Sequence, residues 1–539
     1  MGKARLGIGL AVAAAIALAV WFGVLAPNLS PRVALAVVAG SENKTLEPLM
    51  LDWAKANGVD LTLTYLGSVD ISRELNKGTA TAYDAVWPAN SLWIQLGDTG
   101  KVVKDAQSVL RSPVVLGLRK SIAVKLGWVG RTDVTVQMIE TAAEQNAFRL
   151  AMTSATQSNS GASAYFGFLY ALAGSPDVLT MANLADPKLQ DGMRKLLAQV
   201  DRSSGSSGWL KDALVANPDA YDAMFNYEST VLEADQALVA AGQEPLYIIY
   251  PANGLSVSDS PLGYISKGDA AKEKAFAALQ GFLLSAETQK KISDLGRRTG
   301  LIGVSADQAD PQVWRAEWGA DLKRDLSPVP TPGADVIGEA LSLYQTELRK
   351  PSLTVWVLDI SGSMGGDPIA KLKQAMSLLL DKQAAAVNLL QPSRRDVTII
   401  IPFNDQVMTP FTVVGDNDAD LRKALRMVNN LEAGGGTDIY AALDTALQQL
   451  QVYEDNGTLF NYLPAIVAMT DGASDLGNRD IFLNDLAKSK FGRDVPIHAI
   501  SFGAADMDQL TALTTASIGR LFDSGGDLAS ALRQAKGYN

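Results

Sequence analysis

The stretch Leu353 to Gly366, LTVWVLDISGSMGG, constrains this chain more than any other. Val355, Trp356, Val357 and Leu358 form an apolar run too continuous for a half-exposed strand and too short for a helix. That pattern predicts a central parallel strand buried on both faces. Ligands of open α/β sheets bind outside the carboxyl ends of such strands, and this end carries Asp359 with the hydroxyls of Ser361 and Ser363 among glycines. One carboxylate and two short neutral oxygens on a tight loop suit a hard cation, Mg²⁺ or Mn²⁺.

Two later segments have the character to complete a shell. AGGGTDIY puts Thr437 after three glycines and just before a helix-like run, and the apolar strand PAIVAMTDG ends in Asp471. In order, Asp359, Ser361, Ser363, Thr437 and Asp471 match the motif of the metal-ion-dependent adhesion site, so roughly residues 350–539 resemble a von Willebrand factor A domain. The resemblance implies a doubly wound, Rossmann-like fold, a metal held by those five residues, and a protein partner whose Asp or Glu completes the coordination. Rival chemistries fit the same stretch less well. A haloacid-dehalogenase-type phosphotransferase wants a carboxylate where Ser361 stands, and a serine-hydrolase elbow wants Gly there. A Gly-rich phosphate loop ending in Lys-Ser or Lys-Thr is absent. Metal-assisted hydrolysis stays open as an alternative; it needs an activated water and a base, for which Asp438 and Asp475 are near in sequence.

The 539 residues have room for several domains, and a net charge of −11 without a Lys/Arg cluster argues against a nucleic-acid partner. Cysteine is absent and His498 is the only histidine, which excludes disulfides, thiolate sites, a His-based triad and a multi-histidine zinc site. His498 lies in the strand-like VPIHAISFG and reads as a core or strand-end residue.

Lys3 and Arg5 precede an uncharged run from Leu6 to Ala26, long enough to span a bilayer with the N-terminus in the cytoplasm. The alternative is a signal peptide cut after Ala17-Leu-Ala19. Either exports the body of the chain.

Residues 33–310 alternate strand and helix signals. VALAVVAG, VDLTLTYL and YDAVWP, with helices at about 44–57 and 69–77, predict βαβ units and a parallel sheet. FRLAMTS, YDAMFNYE and LYIIYP begin a second α/β section, with helices at Gly161–Gly174 and Pro187–Val200. Segments 112–126 and 250–265 read as crossings between two lobes. This order, with Tyr83-Asp84-Ala85-Val86, Asn159-Ser160-Gly161 and Pro261-Leu262-Gly263-Tyr264, resembles the bacterial extracellular solute-binding proteins. Ligand in such a fold lies between the lobes, where Ser41 and Glu42 end the first strand and Thr153, Ser154, Ser158, Asn159 and Ser160 lead into a helix. Hydroxyls and backbone N–H groups at a helix start suit an anionic solute, although Ser and Thr are also ordinary caps. Trp87, Asn90, Tyr227 and Tyr250 either contact an organic ligand or pack the lobes.

In 311–350 the Pro-rich DLSPVPTP (325–332) reads as a semi-rigid spacer, followed by a helix from Ala334 to Arg349. The expected whole is a membrane span (6–26), a two-lobed periplasmic-binding-protein-like α/β domain (33–310), a linker with its helix (311–350) and an A domain (351–539). It is expected to act as a membrane-anchored, non-enzymatic binding protein; a receptor for an ABC-type transporter is the alternative.

Overall fold

The computed structural model describes residues 32–299, 309–324, 326–471, 474–492, 494–502, 506–523 and 528–537. The apolar stretch Leu6 to Ala26 lies outside these residues, and among the described ones no helix is long and apolar enough to cross a membrane.

Strands of the first half are β1 (Val33–Gly40), β2 (Val59–Leu66), β3 (Ala85–Trp87), β4 (Val103–Ser108), β5 (Leu110–Arg119), β6 (Leu150–Thr153), β7 (Val200–Ser204), β8 (Ala223–Tyr227), β9 (Leu246–Ile249), β10 (Val257–Ser258), β11 (Pro261–Ile265) and β12 (Arg298–Thr299). The first lobe is the sheet β2-β1-β3-β11-β4. In it β1 runs parallel to β2 and β3, but β11 runs antiparallel to β3 and β4. The sheet is therefore mixed rather than parallel, because the chain re-enters this lobe on a returning strand. The second lobe centres on β5, which pairs with β8, β9, β10 and β12, while β8 continues in parallel into β6 and on to β7.

The chain crosses between lobes at Val109 and at Asp259–Ser260. Val109 N–H donates to the Ser260 carbonyl at 3.2 Å, and the Ser108 hydroxyl donates to the Asp259 carbonyl, so the two crossings are joined. The second falls within 250–265 as expected. The first corrects the sequence expectation: residues 110–119 are the central strand of the second lobe and Lys120–Lys125 is a short helix. A strand buried on both faces shows the same unbroken apolar run as a buried connector.

Residues after 309 belong to the second lobe's packing. Trp314 and Trp318 enter one face of its core, and Val336, Ile337, Ala340, Leu341 and Tyr344 enter the other. The helix Ala334–Leu343 is held by the Tyr165 hydroxyl, which donates to the Ala340 carbonyl at 2.8 Å. Ahead of it the Pro-rich segment lies along the lobe, with Val329 N–H donating to the Leu255 carbonyl at 2.8 Å. A chain already restricted by proline loses little further entropy when laid down in this way.

The last sheet contains β13 (Ser352–Asp359), β14 (Val397–Phe403), β15 (Phe411–Val414), β16 (Leu463–Thr470), β17 (Ile497–Ser501) and β18 (Leu521–Asp523), in the order β15-β14-β13-β16-β17-β18. All pairs are parallel except the edge strand β15. Every residue of β13 is buried, with Leu353, Val355 and Val357 on one face and Trp356 and Leu358 on the other. This is the doubly wound arrangement that the apolar run requires.

This third body docks on both lobes. Asp70 of the helix Ser68–Asn76, in the first lobe, accepts from Arg533 and from Ser530 Oγ (2.9 Å) of the helix Leu528–Gly537. Arg73 of the same lobe donates to Asn388 Oδ1 at 2.9 Å. From the second lobe, Arg202 donates to the Ile518 carbonyl at 3.0 Å and Gln345 to the Gln391 carbonyl at 3.0 Å. Ser352 and Leu463, which open β13 and β16, face Ser154 and Ser203 across a small hollow. The docked edge is thus the amino-terminal end of these strands, and their carboxyl ends point away from the lobes.

Candidate functional site

At that far edge β13 delivers Asp359, fully buried. Its Oδ1 accepts from Ser361 N–H at 2.8 Å and its Oδ2 from the Thr470 hydroxyl at 2.5 Å. Ser361 Oγ and Ser363 Oγ are 3.1 Å apart, and Ser363 Oγ donates to Asp471 Oδ1 at 2.9 Å. Four of the five residues picked from the sequence therefore share one chain of oxygens. Thr437 arrives on a loop pinned to the same turn: Gly434 N–H donates to the Ile360 carbonyl at 2.8 Å, and Gly362 N–H to the Gly435 carbonyl at 3.0 Å. Gly435 has φ +85°, and a Cβ there would lie 2.3 Å from Asp405 Oδ1, so this approach needs glycine.

Burial pushes the Asp359 carboxyl above its ordinary range against the hydrogen bonds from Thr470 and Ser361, and the neighbouring Asp471 charge adds to the rise. No Lys or Arg contributes to that balance, and no third His, Cys, Asp or Glu joins the cluster among the described residues. Two carboxylates and several hydroxyls with nothing basic between them form a hard-oxygen donor set that fits Mg²⁺ or Mn²⁺. Asp438 and Asp475 are engaged elsewhere. Asp438 accepts from Ala441 N–H at 3.0 Å and from Asn478, and Asp475 accepts from Gly477 N–H at 2.9 Å.

A second site lies between the closed lobes. Ser41 Oγ is 3.2 Å from Ser206 Oγ across the cleft, and Thr45 donates to Glu233 Oε1 at 3.1 Å. Ser41 and Ser206 also line a cavity of about 290 Å³. Of the seven residues picked from the sequence, Ser41, Glu42 and Ser158 line it. Thr153, Ser154, Asn159 and Ser160 do not: their side chains are engaged by the protein itself, Asn159 Oδ1 accepting from Trp93 at 2.6 Å. Thr153 Oγ1 and Ser160 Oγ are 2.8 Å apart, and Ser154 Oγ is 3.2 Å from Thr156 Oγ1. Asn159 donates to Tyr227 at 3.0 Å and to Ser258 at 2.8 Å. The four aromatic and amide candidates are structural too. Trp87 donates to the Ser260 carbonyl at 3.1 Å, Asn90 accepts from Leu92 N–H at 2.9 Å, and Tyr250 donates to Glu228.

The cavity is completed by residues that sequence reasoning missed, among them Ser68, Ser206, Trp209 and Arg520. Gly205-Ser206-Ser207-Gly208 ends a strand and opens the helix Ser207–Ala216, the same signal that drew attention to residues 153–161. Glu42 Oε1 is sealed from water without a hydrogen-bond partner. Burial pushes its carboxyl up to about 7, against a hydrogen bond from its own backbone and the charge of Arg297. His498 is a fully buried core residue, and its Nδ1 accepts from Arg520 N–H at 3.0 Å.

Residues 35–298 match the family model for bacterial extracellular solute-binding protein, and residues 355–528 match the model for von Willebrand factor type A domain. The chain joins a bacterial extracellular solute-binding domain to a von Willebrand factor type A (VWA) domain. Among solved structures it is similar to the periplasmic binding protein P5PA, at 16% identity over 59% of this chain and 100% of that one, with a TM-score of 0.42. It is also similar to the sulfate-binding protein SubI of Mycobacterium tuberculosis, at 17% identity over 56% and 93% of the two chains, TM-score 0.39. A von Willebrand factor type A protein of Catenulispora acidiphila matches at 15% identity over 35% of this chain and 42% of its own length, TM-score 0.28. No curated protein matches. Both domains are of binding types, and the solute-binding domain belongs to an extracytoplasmic class.

Proposed function

We propose that the protein holds a small anionic solute between its lobes and uses its VWA domain to bind a carboxylate of a partner protein through Mg²⁺ or Mn²⁺. The observation that carries the metal half is Asp359, buried beside Ser361, Ser363 and Asp471 with no Lys or Arg among the described residues to balance it. A shell rich in neutral hydroxyls leaves a bound dication electrophilic, and an outside Asp or Glu is its natural sixth ligand. Binding rather than hydrolysis is favoured because Asp438 and Asp475, the candidate bases, already accept backbone hydrogen bonds that fix the surrounding loops. The solute half rests on the interlobe cavity, on the helix starting at Ser68 and on that starting at Ser207 behind Ser206, whose first-turn N–H groups favour negative charge. Leu6 to Ala26 would anchor this assembly to the membrane, a point that retention in the membrane fraction after a carbonate wash tests.

The direct test is calorimetric titration of Mg²⁺ and Mn²⁺. Asp359→Ala is expected to lower affinity by at least about tenfold, in line with losses at metal-site ligands and their supports. Equal affinity in wild type and variant would sink the metal assignment.

A further inference from the structure

The interlobe cavity is not walled by the solute-binding domain alone. Arg520, just before β18, and Gln534, on the helix Leu528–Gly537, belong to the VWA domain and line the cavity with Ser41, Glu42 and Lys44. The Arg520 backbone is built into the VWA sheet: its N–H donates to His498 and its carbonyl accepts from Ala499 N–H at 3.0 Å. Its guanidinium lies over the Phe522 ring, 5.7 Å from the centroid. Position and reach are therefore set by the VWA core.

This wall is bonded to both lobes. Gln534 donates to Ser530 Oγ at 3.1 Å, and Ser530 donates to Asp70 of the first lobe. Arg202 of the second lobe donates to the Ile518 carbonyl, two residues before Arg520, and stacks on Trp209, which also lines the cavity. Of the charged lining residues, Lys44 and Arg520 are basic and Glu42 and Asp212 acidic, and Asp212 lies 3.2 Å from Lys211. An oxyanion or carboxylate suits this lining, because it accepts from the helix starts, from the Arg520 guanidinium and from the Lys44 ammonium.

We propose that the VWA domain completes the solute site, with Arg520 and Gln534 contacting the anionic group of the solute, so that full affinity exists only while the VWA domain is docked on both lobes. This rests on the anionic-solute function above and adds to it a third wall, supplied in cis.

The test is calorimetric titration of the full chain in detergent with inorganic sulfate, inorganic phosphate and succinate. Arg520→Gln is expected to weaken whichever of these binds by at least about tenfold, as loss of a charge-assisted pair does. Gln534→Glu, which puts a repelling charge on the same wall from a different element, is expected to do likewise. Arg426→Gln, at an exposed position on another VWA helix, controls for bulk charge and should bind as wild type does. Unchanged melting temperatures would show that the losses are local. If wild type binds an anion and both wall variants bind it equally well, the third wall is only packing and the inference fails. If wild type binds none of the three, the anionic-solute function itself falls, and the inference with it.

Discussion

Glu42 follows β1 directly, at a point where burial opposes its charge and Arg297 only partly offsets that burial. Its folded-state value of about 7 lies above the ordinary 4.5, so the folded protein holds this proton more tightly than the unfolded chain does. The stabilising contribution is therefore complete below about pH 4.5, declines as pH rises towards 7, and stays lost above it. Glu42→Gln, which keeps the shape without the titration, should melt progressively higher than wild type as pH is raised through this window. Melting curves at several pH values check this, and a difference that does not vary with pH would contradict the assignment. The same proton makes the cavity less hospitable to anions above neutrality, so solute affinity should fall with rising pH in wild type and not in the variant. Glu42 was legible in the sequence as a residue at a strand end. Its protonation was not, because desolvation is a property of the closed lobes rather than of SEN.

At the scale of elements, β13 shows what one sequence can say. Its unbroken apolar run and abrupt acidic end placed strand, sheet and metal loop together, because a strand buried on both faces and a hydroxyl-rich turn are both local signals. The run at 112–119 is also apolar at its centre, but that alone does not tell a strand from a connector. Only its partners, on antiparallel strands far along the chain, make it the centre of a lobe rather than a connector. The helix Asn159–Leu172 behaves differently again. The hydroxyl-rich loop leading into it has the sequence of a ligand loop, yet the helix packs so closely that a Cβ on Gly161 would come within 2.1 Å of the Thr153 carbonyl oxygen. Gly161→Ala should therefore destabilise the second lobe by about 1–3 kcal/mol, the usual cost of overpacking. Chemical denaturation monitored through the lobe's tryptophans would measure it, and an unchanged midpoint would mean that the strand and helix can part without cost.

For the molecule as a whole, domain types were legible and their docking was not, since Asp70 and Arg533 are separated by most of the chain. Arg533 is almost entirely buried against Asp70. Asp70→Ala removes the carboxylate from a buried guanidinium, a change that typically costs about 3–5 kcal/mol. The expected outcome is a VWA domain that undocks from the first lobe while staying tethered to the second, seen as a longer maximum dimension in solution scattering. Unchanged scattering would show that the other contacts suffice. The helix Ala334–Leu343 and the residues after it run without a flexible break into β13, because their apolar faces are part of the second lobe's core.

One consequence concerns force. β13 starts where the chain leaves the second lobe and ends at Asp359, about 23 Å away at the usual rise of a strand. A partner pulling on a metal at Asp359 would load β13 along its own axis, from its anchored end to its gripped end. Its hydrogen bonds to β14 and β16, which run alongside in parallel, would then be stretched together in shear rather than opened one after another. The central strand of this sheet would in that sense be a tension member, passing its load to the helix packed in the second lobe's core.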